Sequence, residues 1–88
     1  MKVRILFSKQ SNIDYFNSND VELDMEEYLV GVVAAEIGNA PVAACAAQAV
    51  AARTYAMSKI KSKGYITDKS SSDQAFRSER LTGYPNVI

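Results

Sequence analysis

Residues 24–36 read DMEEYLVGVVAAE, and this stretch decides the fold because its apolar residues repeat with the period of an amphipathic helix. One stripe runs through positions i, i+3, i+4 and i+7, which are Leu29, Val32, Val33 and Glu36. Asp24 is placed as the helix N-cap, with Glu27 three residues later in a capping-box relation. Gly38 predicts the end of the helix as a left-handed residue. The pattern therefore predicts a first helix over about 25–37.

A second helix is predicted over about 41–63. Pro41 suits its first turn, where no backbone N–H is needed, and Gly64 ends it. Its first half has strong helix propensity and little side-chain bulk, which favours a helix packed on more than one side. Cys45 is the single cysteine, so it forms no intrachain disulfide and is expected to be a small buried hydrophobe. The alternating lysines near the helix end are expected to be solvated; they are Lys59, Lys61 and Lys63.

The flanking segments complete a predicted α+β fold. The apolar runs Val3–Phe7 and Ile13–Phe16 predict two short strands joined by a turn, and Val21–Leu23 predicts a short extended lead-in to the first helix. Residues 67–80 are polar and predict a loop, for which a solvated linker is the simplest interpretation. The prediction is thus short N-terminal strands, two packed helices and a polar loop or strand at the C-terminal end, within one domain spanning 1–88.

Charge and composition exclude several classes of protein. Ten basic and ten acidic residues balance without a dense basic cluster, which argues against a nucleic-acid partner. The chain has no histidine, which removes the commonest zinc ligand and the base of Ser-His and Cys-His nucleophiles, so no metal or cofactor is expected. No stretch has the length and hydropathy of a signal peptide or a transmembrane helix, so we expect any export signal to lie outside these residues.

Glu36 is the strongest candidate for acid chemistry. A carboxyl group on an apolar stripe is costly to bury ionised, so burial would keep it partly protonated near neutral pH, as a general acid requires. The alternative is a carboxylate that ends the stripe and points to water. No second acid shares its helix face, so the paired carboxylates of ordinary glycoside hydrolases are not visible and a one-acid mechanism fits better.

Three side chains of the second helix are candidates for binding. Arg53 supplies a permanent cation close to Tyr55 in the sequence, and it could bind a substrate carboxylate or pair with Glu36. An exposed or structurally paired arginine is the alternative. Gln48 could bind a substrate or form a helix-to-helix hydrogen bond, and the residues alone leave both interpretations open.

Two sequence blocks in fixed order resemble the SpoIID/LytB family, the stage II sporulation protein D and amidase-enhancer proteins. The blocks are EEYLVGVVAAE at 26–36 and AQAVAARTYA at 47–56, and DQAF at 73–76 is similar to the Gln-x-aromatic element of the family. The resemblance covers about 21–88. It implies a lytic transglycosylase that cuts the β-1,4 bond after N-acetylmuramic acid in peptidoglycan and leaves a 1,6-anhydro end. In that chemistry one glutamic acid acts first as acid and then as base.

The resemblance also implies the site residues and their setting. Glu36 matches the catalytic glutamate, and the implied substrate-binding residues are Gln48, Arg53, Tyr55 and Gln74. The implied partners are the glycan strands of peptidoglycan and a cell-wall amidase or other cell-wall hydrolase, in an extracytoplasmic location such as the cell wall or the forespore septum. The alternative function is a non-catalytic glycan-binding or amidase-enhancing module.

The sequence departs from the family pattern in two places. Ile37 and Gly38 stand where the family often has Met-Pro, and family members usually continue past the equivalent of Ile88 with further strands. We therefore expect a partial domain. Because a chain of this size buries only about 60% of the surface it exposes when unfolded, self-association is a further expectation.

Overall fold

Within residues 1–82, which the computed structural model describes, the chain forms a three-stranded sheet packed against helices. The elements in chain order are β1 (Lys2–Leu6), α1 (Gln10–Phe16), β2 (Asp20–Asp24), α2 (Met25–Ile37), α3 (Val42–Lys63), β3 (Ile66–Thr67) and a 3-10 turn (Ser78–Arg80). The predicted α+β class is confirmed. The core forms where β1, α2 and α3 meet.

The central strand β1 has one buried and one exposed face. It pairs antiparallel with β2 and parallel with β3. Val3 and Ile5 are fully buried, because alternate residues of a strand point to opposite faces of the sheet. Lys2 and Arg4 lie on the other face and form exposed ion pairs with two aspartates of β2. Such pairs contribute little to stability, so the apolar face of β1 is what holds the sheet to the helices.

The predicted strand at Ile13–Phe16 is wrong, because this segment belongs to helix α1. Ile13 and Phe16 both pack against the core, and Phe16 stacks on Phe7 with ring centroids 5.5 Å apart. In a strand these two residues would point to opposite faces, whereas the i, i+3 spacing of a helix buries both. Asn17 then ends α1 in a left-handed conformation with φ 54°, and the chain enters β2 where only a lead-in was predicted.

Helices α2 and α3 lie close to their predicted bounds, but their ends differ in detail. Asp24 is the N-cap of α2, yet its side chain makes no capping hydrogen bond and pairs with Lys2 instead, so the predicted capping box does not form. Gly38 ends α2 at φ 62° and ψ −147°, which has the expected positive φ but is not the left-handed helical conformation. Pro41 is the N-cap of α3 rather than part of its first turn, and Gly64 ends that helix at φ 83°.

Within the described residues α3 is buried along one face. Cys45 and Ala52 lie in that face, so the prediction of a buried cysteine is confirmed. Val42 and Val50 on the outer side have exposed fractions of 63% and 67%. The small residues of α3 are therefore not packed on several sides by any part of residues 1–82, contrary to the sequence prediction.

The polar segment 67–80 is ordered and partly buried, so its interpretation as a solvated linker is wrong. Asp68 is fully buried. Its carboxylate accepts hydrogen bonds of 2.8 to 3.0 Å from the donors of Ser8, Lys9 and Asn12. Asn12 is also buried and accepts hydrogen bonds from the N–H and the hydroxyl of Ser78. A buried polar group without a partner costs about 1–3 kcal/mol, so this network favours one arrangement of the segment over others.

The segment Gln74–Arg80 runs along one side of α2 and is named the strap. Hydrogen bonds join it to α2 at regular intervals: Gln74 Nε2 to the Tyr28 hydroxyl (3.1 Å), Arg77 N–H to the Gly31 carbonyl (3.3 Å) and Arg80 Nη1 to the Ala34 carbonyl (2.8 Å). The contacts are therefore spaced three residues apart on both the strap and α2. Gln74 and Arg80 reach α2 through their long side chains. Within the strap only Ser78–Arg80 is coiled, as the 3-10 turn, whereas Arg77 has an extended backbone.

Phe76 lies in the middle of the strap and is fully buried. Its ring stacks on Tyr28 with centroids 5.6 Å apart and planes at 7°. The ring also fills the space beside Gly31, where an added Cβ would lie 2.3 Å from Phe76 Cε2. Burial raises the pKa of Tyr28 well above its usual range, so its hydroxyl stays neutral as the partner of Gln74.

Taken one at a time, the helices of residues 1–82 do not meet the criteria for a membrane span. No single helix combines the length and hydropathy needed to cross a bilayer. Helices α2 and α3 reach the required values only when they are joined, and the pair is bent by 118° at its connection. Buried core helices show the same composition, and α2 is largely buried.

Gly31→Ala is expected to lower the free energy of unfolding by about 1–3 kcal/mol, because the added methyl group displaces the Phe76 ring. At an exposed helix position the same change would stabilise by up to about 1 kcal/mol, so the sign of the effect is diagnostic. Urea unfolding followed by circular dichroism measures it. Phe76→Leu should cost less in the Gly31→Ala background than in the wild type, because the smaller side chain relieves the clash. A Gly31→Ala variant as stable as the wild type would contradict this packing.

Candidate functional site

Glu36 lies in the last turn of α2 with an exposed side chain. It continues the stripe of Leu29 and Val32, as its spacing predicts, but the helix ends one residue later and the described residues leave the side chain uncovered. Within residues 1–82 the carboxylate has no hydrogen bond or ion pair. Of the two interpretations left open by the sequence, the described residues show the one in which the carboxylate ends the stripe and points to water. An uncovered carboxylate is accessible to a large ligand.

Arg53 pairs with Glu26 and not with Glu36. Glu26 and Glu36 are ten residues apart on one helix, which corresponds to about 15 Å along its axis. A guanidinium group held by Glu26 therefore cannot also contact the Glu36 carboxylate. The pair is exposed at the surface, with 43% of the Arg53 side chain and 77% of the Glu26 side chain accessible. Exposed pairs are weak, so another carboxylate can replace Glu26 at little cost.

Tyr55 lies on the opposite side of α3 from Arg53, because two residues along a helix are about 200° apart. Its hydroxyl is 2.9 Å from Asp73 Oδ1 and 3.0 Å from the Ser72 carbonyl. Burial and the neighbouring Asp73 carboxylate both raise the pKa of Tyr55, so the phenol is neutral near pH 7. The structure thus directs Arg53 towards α2 and Tyr55 towards the segment before the strap.

The Asp73 carboxylate accepts hydrogen bonds from two sides and so holds the segment before the strap in place. Lys59 Nζ lies 2.9 Å from its carboxylate, and Thr67 donates to it through the backbone N–H (2.9 Å) and the hydroxyl (2.8 Å). Burial opposes ionisation of Asp73, but the hydrogen bonds from Lys59, Thr67 and Tyr55 outweigh it and lower its pKa to about 2. The hydrogen bond to Asp73 also raises the pKa of Lys59. The prediction that Lys59 is merely solvated is therefore wrong.

The buried Asp68 follows the same physical pattern. Burial disfavours its charged form, but hydrogen bonds from Asn12, Ser8 and Lys9 stabilise the carboxylate and lower its pKa. Asp73 immediately precedes the strap in the sequence, and Asp68 lies five residues before Asp73. Both are therefore ionised anchors of the strap near neutral pH.

The two predicted glutamines, Gln48 and Gln74, differ in the hydrogen bonds that their side chains form. Gln74 Nε2 lies 3.1 Å from the Tyr28 hydroxyl and 3.4 Å from the Ala52 carbonyl, so it bridges α2 and α3. Gln48 is half-buried, and within residues 1–82 its side chain forms no hydrogen bond, so the helix-to-helix bond considered from the sequence does not form there. Substrate binding by either residue remains a prediction.

A groove of about 330 Å³ lies between α2 and α3. Its lining combines apolar side chains with two carboxylates: Glu26, Glu27, Leu29, Val30, Val33, Ala49 and Leu81. Arg53 reaches this groove through its pair with Glu26. Glu36 is not part of the lining, although it follows Val33 by only one turn. A ligand that fills the groove and extends past the end of α2 would meet Glu36.

The structure distributes four of the five predicted site residues over three places, and the fifth, Gln48, is half-buried on α3. Glu36 lies at the end of α2, Arg53 lies beside the groove, and Tyr55 and Gln74 lie near the base of the strap. No group of three or more Cys, Asp or Glu side chains within residues 1–82 is arranged to hold a metal ion. Asp73 is not among the predicted site residues, although it lies in the DQAF block. No local signal marks its contacts with Tyr55 and Lys59, because these partners lie on α3.

Residues 17–86 match the protein family described as SpoIID, stage II sporulation protein. The matched range covers most of the chain and contains every predicted site residue: Glu36, Gln48, Arg53, Tyr55 and Gln74. No curated protein and no solved structure matches the chain significantly. The family match supports a sporulation-related cell-wall role.

Asp73→Asn is expected to lower the free energy of unfolding at pH 7 by about 2 kcal/mol and to reduce the acid sensitivity of the fold. The pKa of Asp73 is about 2 in the folded state. In the unfolded chain it is near 3.9. Its stabilisation is therefore complete above about pH 4 and is lost as the pH falls towards 2. Urea unfolding between pH 6 and 2 measures the difference.

The exposed Asp24→Asn variant is the matched control for this measurement, because Asp24 pairs only at the surface with Lys2. It should follow the wild-type pH dependence closely. Identical pH profiles for the wild type and Asp73→Asn would refute the proposed contribution of Asp73.

Proposed function

This chain belongs to the SpoIID family of stage II sporulation proteins, and from that premise we propose that it is a lytic transglycosylase domain of peptidoglycan. The bond to be cut is the β-1,4 link between N-acetylmuramic acid and N-acetylglucosamine. The observation that carries the proposal is the exposed Glu36 carboxylate, which ends the EEYLVGVVAAE block and has no partner within residues 1–82. A glycan strand is a long polymer, and it needs an accessible acid of this kind.

Glu36 would act twice in the proposed reaction. As an acid it gives its proton to the glycosidic oxygen while the C1–O bond breaks, and N-acetylglucosamine leaves with a 4-hydroxyl group. As a carboxylate it then takes the proton of the muramic acid 6-hydroxyl while O6 bonds to C1. The new C1–O6 bond replaces the broken one, so no water is consumed. Glu36 ends the cycle protonated, as it began.

The remaining predicted residues would bind and align the strand. On glycan stripped of stem peptides, Arg53 would exchange the exposed Glu26 carboxylate for the lactyl carboxylate of N-acetylmuramic acid, which suits the planar fork of a guanidinium group. Gln48 would offer its unoccupied amide to sugar hydroxyl and acetamido groups. Tyr55 and Gln74 already have protein partners, so binding to sugar would require them to exchange these hydrogen bonds.

Glu36→Gln is expected to lower the rate of glycan cleavage at least about a hundredfold, because the amide can neither give nor take the proton. The assay incubates the chain with purified peptidoglycan and with glycan strands stripped of stem peptides, and measures anhydro-ended fragments by mass spectrometry. Glu22→Gln is the control, because it changes an exposed glutamate on β2, away from α2 and α3. Equal yields of anhydro ends from the wild type and Glu36→Gln would sink the proposal.

A second function is favoured by a separate observation, namely the distribution of the predicted residues over three places. A module that binds glycan, or enhances a cell-wall amidase without cleaving glycan itself, needs no acid close to its binding residues. For such a module we expect the affinity for stripped glycan strands to be unchanged by Glu36→Gln and the activity of an added amidase to rise. Co-sedimentation with insoluble glycan measures the first effect. Absence of glycan binding by the wild type would rule out this function.

A further inference from the structure

The last turn of α2 carries the wrong charge for its position. A helix C-terminus presents unpaired carbonyl groups and favours a nearby cation. The last turn of α2 has no basic residue and instead contains Glu36. Local sequence therefore does not stabilise the turn that carries this carboxylate. Such conflicts between local preference and fold are expected at functional sites.

Arg80 supplies the missing cation from a distant part of the chain. Its Nη1 donates a hydrogen bond of 2.8 Å to the Ala34 carbonyl, across a separation of 46 residues. The same carbonyl accepts the N–H of Gly38 at 3.0 Å. One oxygen thus joins the last helical hydrogen bond to the guanidinium group. A basic side chain that binds the final carbonyls of a helix both satisfies them and complements the helix dipole.

The strap determines where Arg80 acts. Its earlier contacts, by Gln74 at Tyr28 and by the Arg77 N–H at Gly31, fix its register along α2. Arg80 is the third contact in this series and falls on the turn that holds Glu36. The sequence suggested that Arg53 could pair with Glu36. In the structure Arg53 pairs with Glu26 instead, about 15 Å away from Glu36 along the helix axis.

We propose that Arg80 is a positioning residue for Glu36: by binding the Ala34 carbonyl it fixes the last turn of α2 and so the place of the carboxylate. The inference rests on the proposed transglycosylase function. Arg80 touches no reacting atom in this proposal. It acts through the helix backbone, and its effect should therefore appear in the chemical step rather than in glycan affinity.

The first test is the steady-state cleavage of stripped glycan strands by Arg80→Met. We expect kcat to fall about tenfold and KM to change less than twofold, because misplacing an acid slows the reaction without removing a binding group. Arg80→Lys should recover most of the rate, because the ammonium group can still bind the carbonyl. Arg77→Met is the matched control, because its side chain is exposed and its contact with Gly31 comes from the backbone.

Two results of this assay would overturn the inference. One is a wild-type kcat in Arg80→Met. The other is an equal loss in Arg77→Met and Arg80→Met, which would indicate a general attraction between basic residues and the anionic glycan. Circular dichroism of each variant shows whether it is folded, and Arg80→Lys decides the case if Arg80→Met is not.

The second test does not depend on activity. Amide hydrogen exchange of Gly38, measured by NMR, should be at least threefold faster in Arg80→Met than in the wild type and unchanged in Arg77→Met. Unchanged exchange in Arg80→Met would refute the positioning of the turn even in an active enzyme. A wild-type chain that does not cleave glycan refutes the proposed function and the catalytic half of this inference, while the Gly38 exchange still decides whether Arg80 holds the turn.

Discussion

Where the Phe76 ring lies beside Gly31, the strap comes close enough to α2 for its backbone to bond the Gly31 carbonyl. A side chain at position 31 would keep the two segments apart. The same ring stacks on Tyr28 and contacts Phe7, and the Phe76 carbonyl accepts a hydrogen bond from Asn12. One aromatic residue thus connects α2, the sheet and α1. The register of the strap along α2, and with it the contact of Arg80, depends on this close packing.

The helices could be predicted from the sequence because the signals that define them are local. Periodicity placed α2, and Gly38 and Gly64 marked where the helices end. The strand predicted for Ile13–Phe16 is wrong because a run of four residues is too short for its periodicity to separate strand from helix. The strap was unpredictable for a different reason. Its composition is polar, and the groups of the rest of the fold that pair with it lie 22 to 66 residues away in the sequence.

The surroundings of the acidic side chains are likewise difficult to predict from the sequence. Glu36 is predicted as the acid from its spacing and family block, but periodicity gives the direction of a side chain and not what covers it. Asp68 and Asp73 resemble ordinary loop acids in the sequence. In the structure each is surrounded by donors that more than offset the cost of burial. The number of donors around a carboxylate distinguishes an anchor of the fold from an acid accessible to a ligand, and this number depends on tertiary structure.

The strap residues that bond α2 are each 46 residues away from their partners in the sequence, and this constant sequence separation bears on the order of folding. Each hydrogen bond from the strap to α2 closes a loop of the same length, and loop closure costs entropy before any contact repays it. Helices α2 and α3 can form from neighbouring residues, whereas the strap needs both helices and the sheet in place. In the proposed role of Arg80, the turn that carries Glu36 is held in place only once the strap lies along α2. On this proposal, a partly folded chain that lacks the strap contact contains the Glu36 carboxylate but does not yet hold it in place.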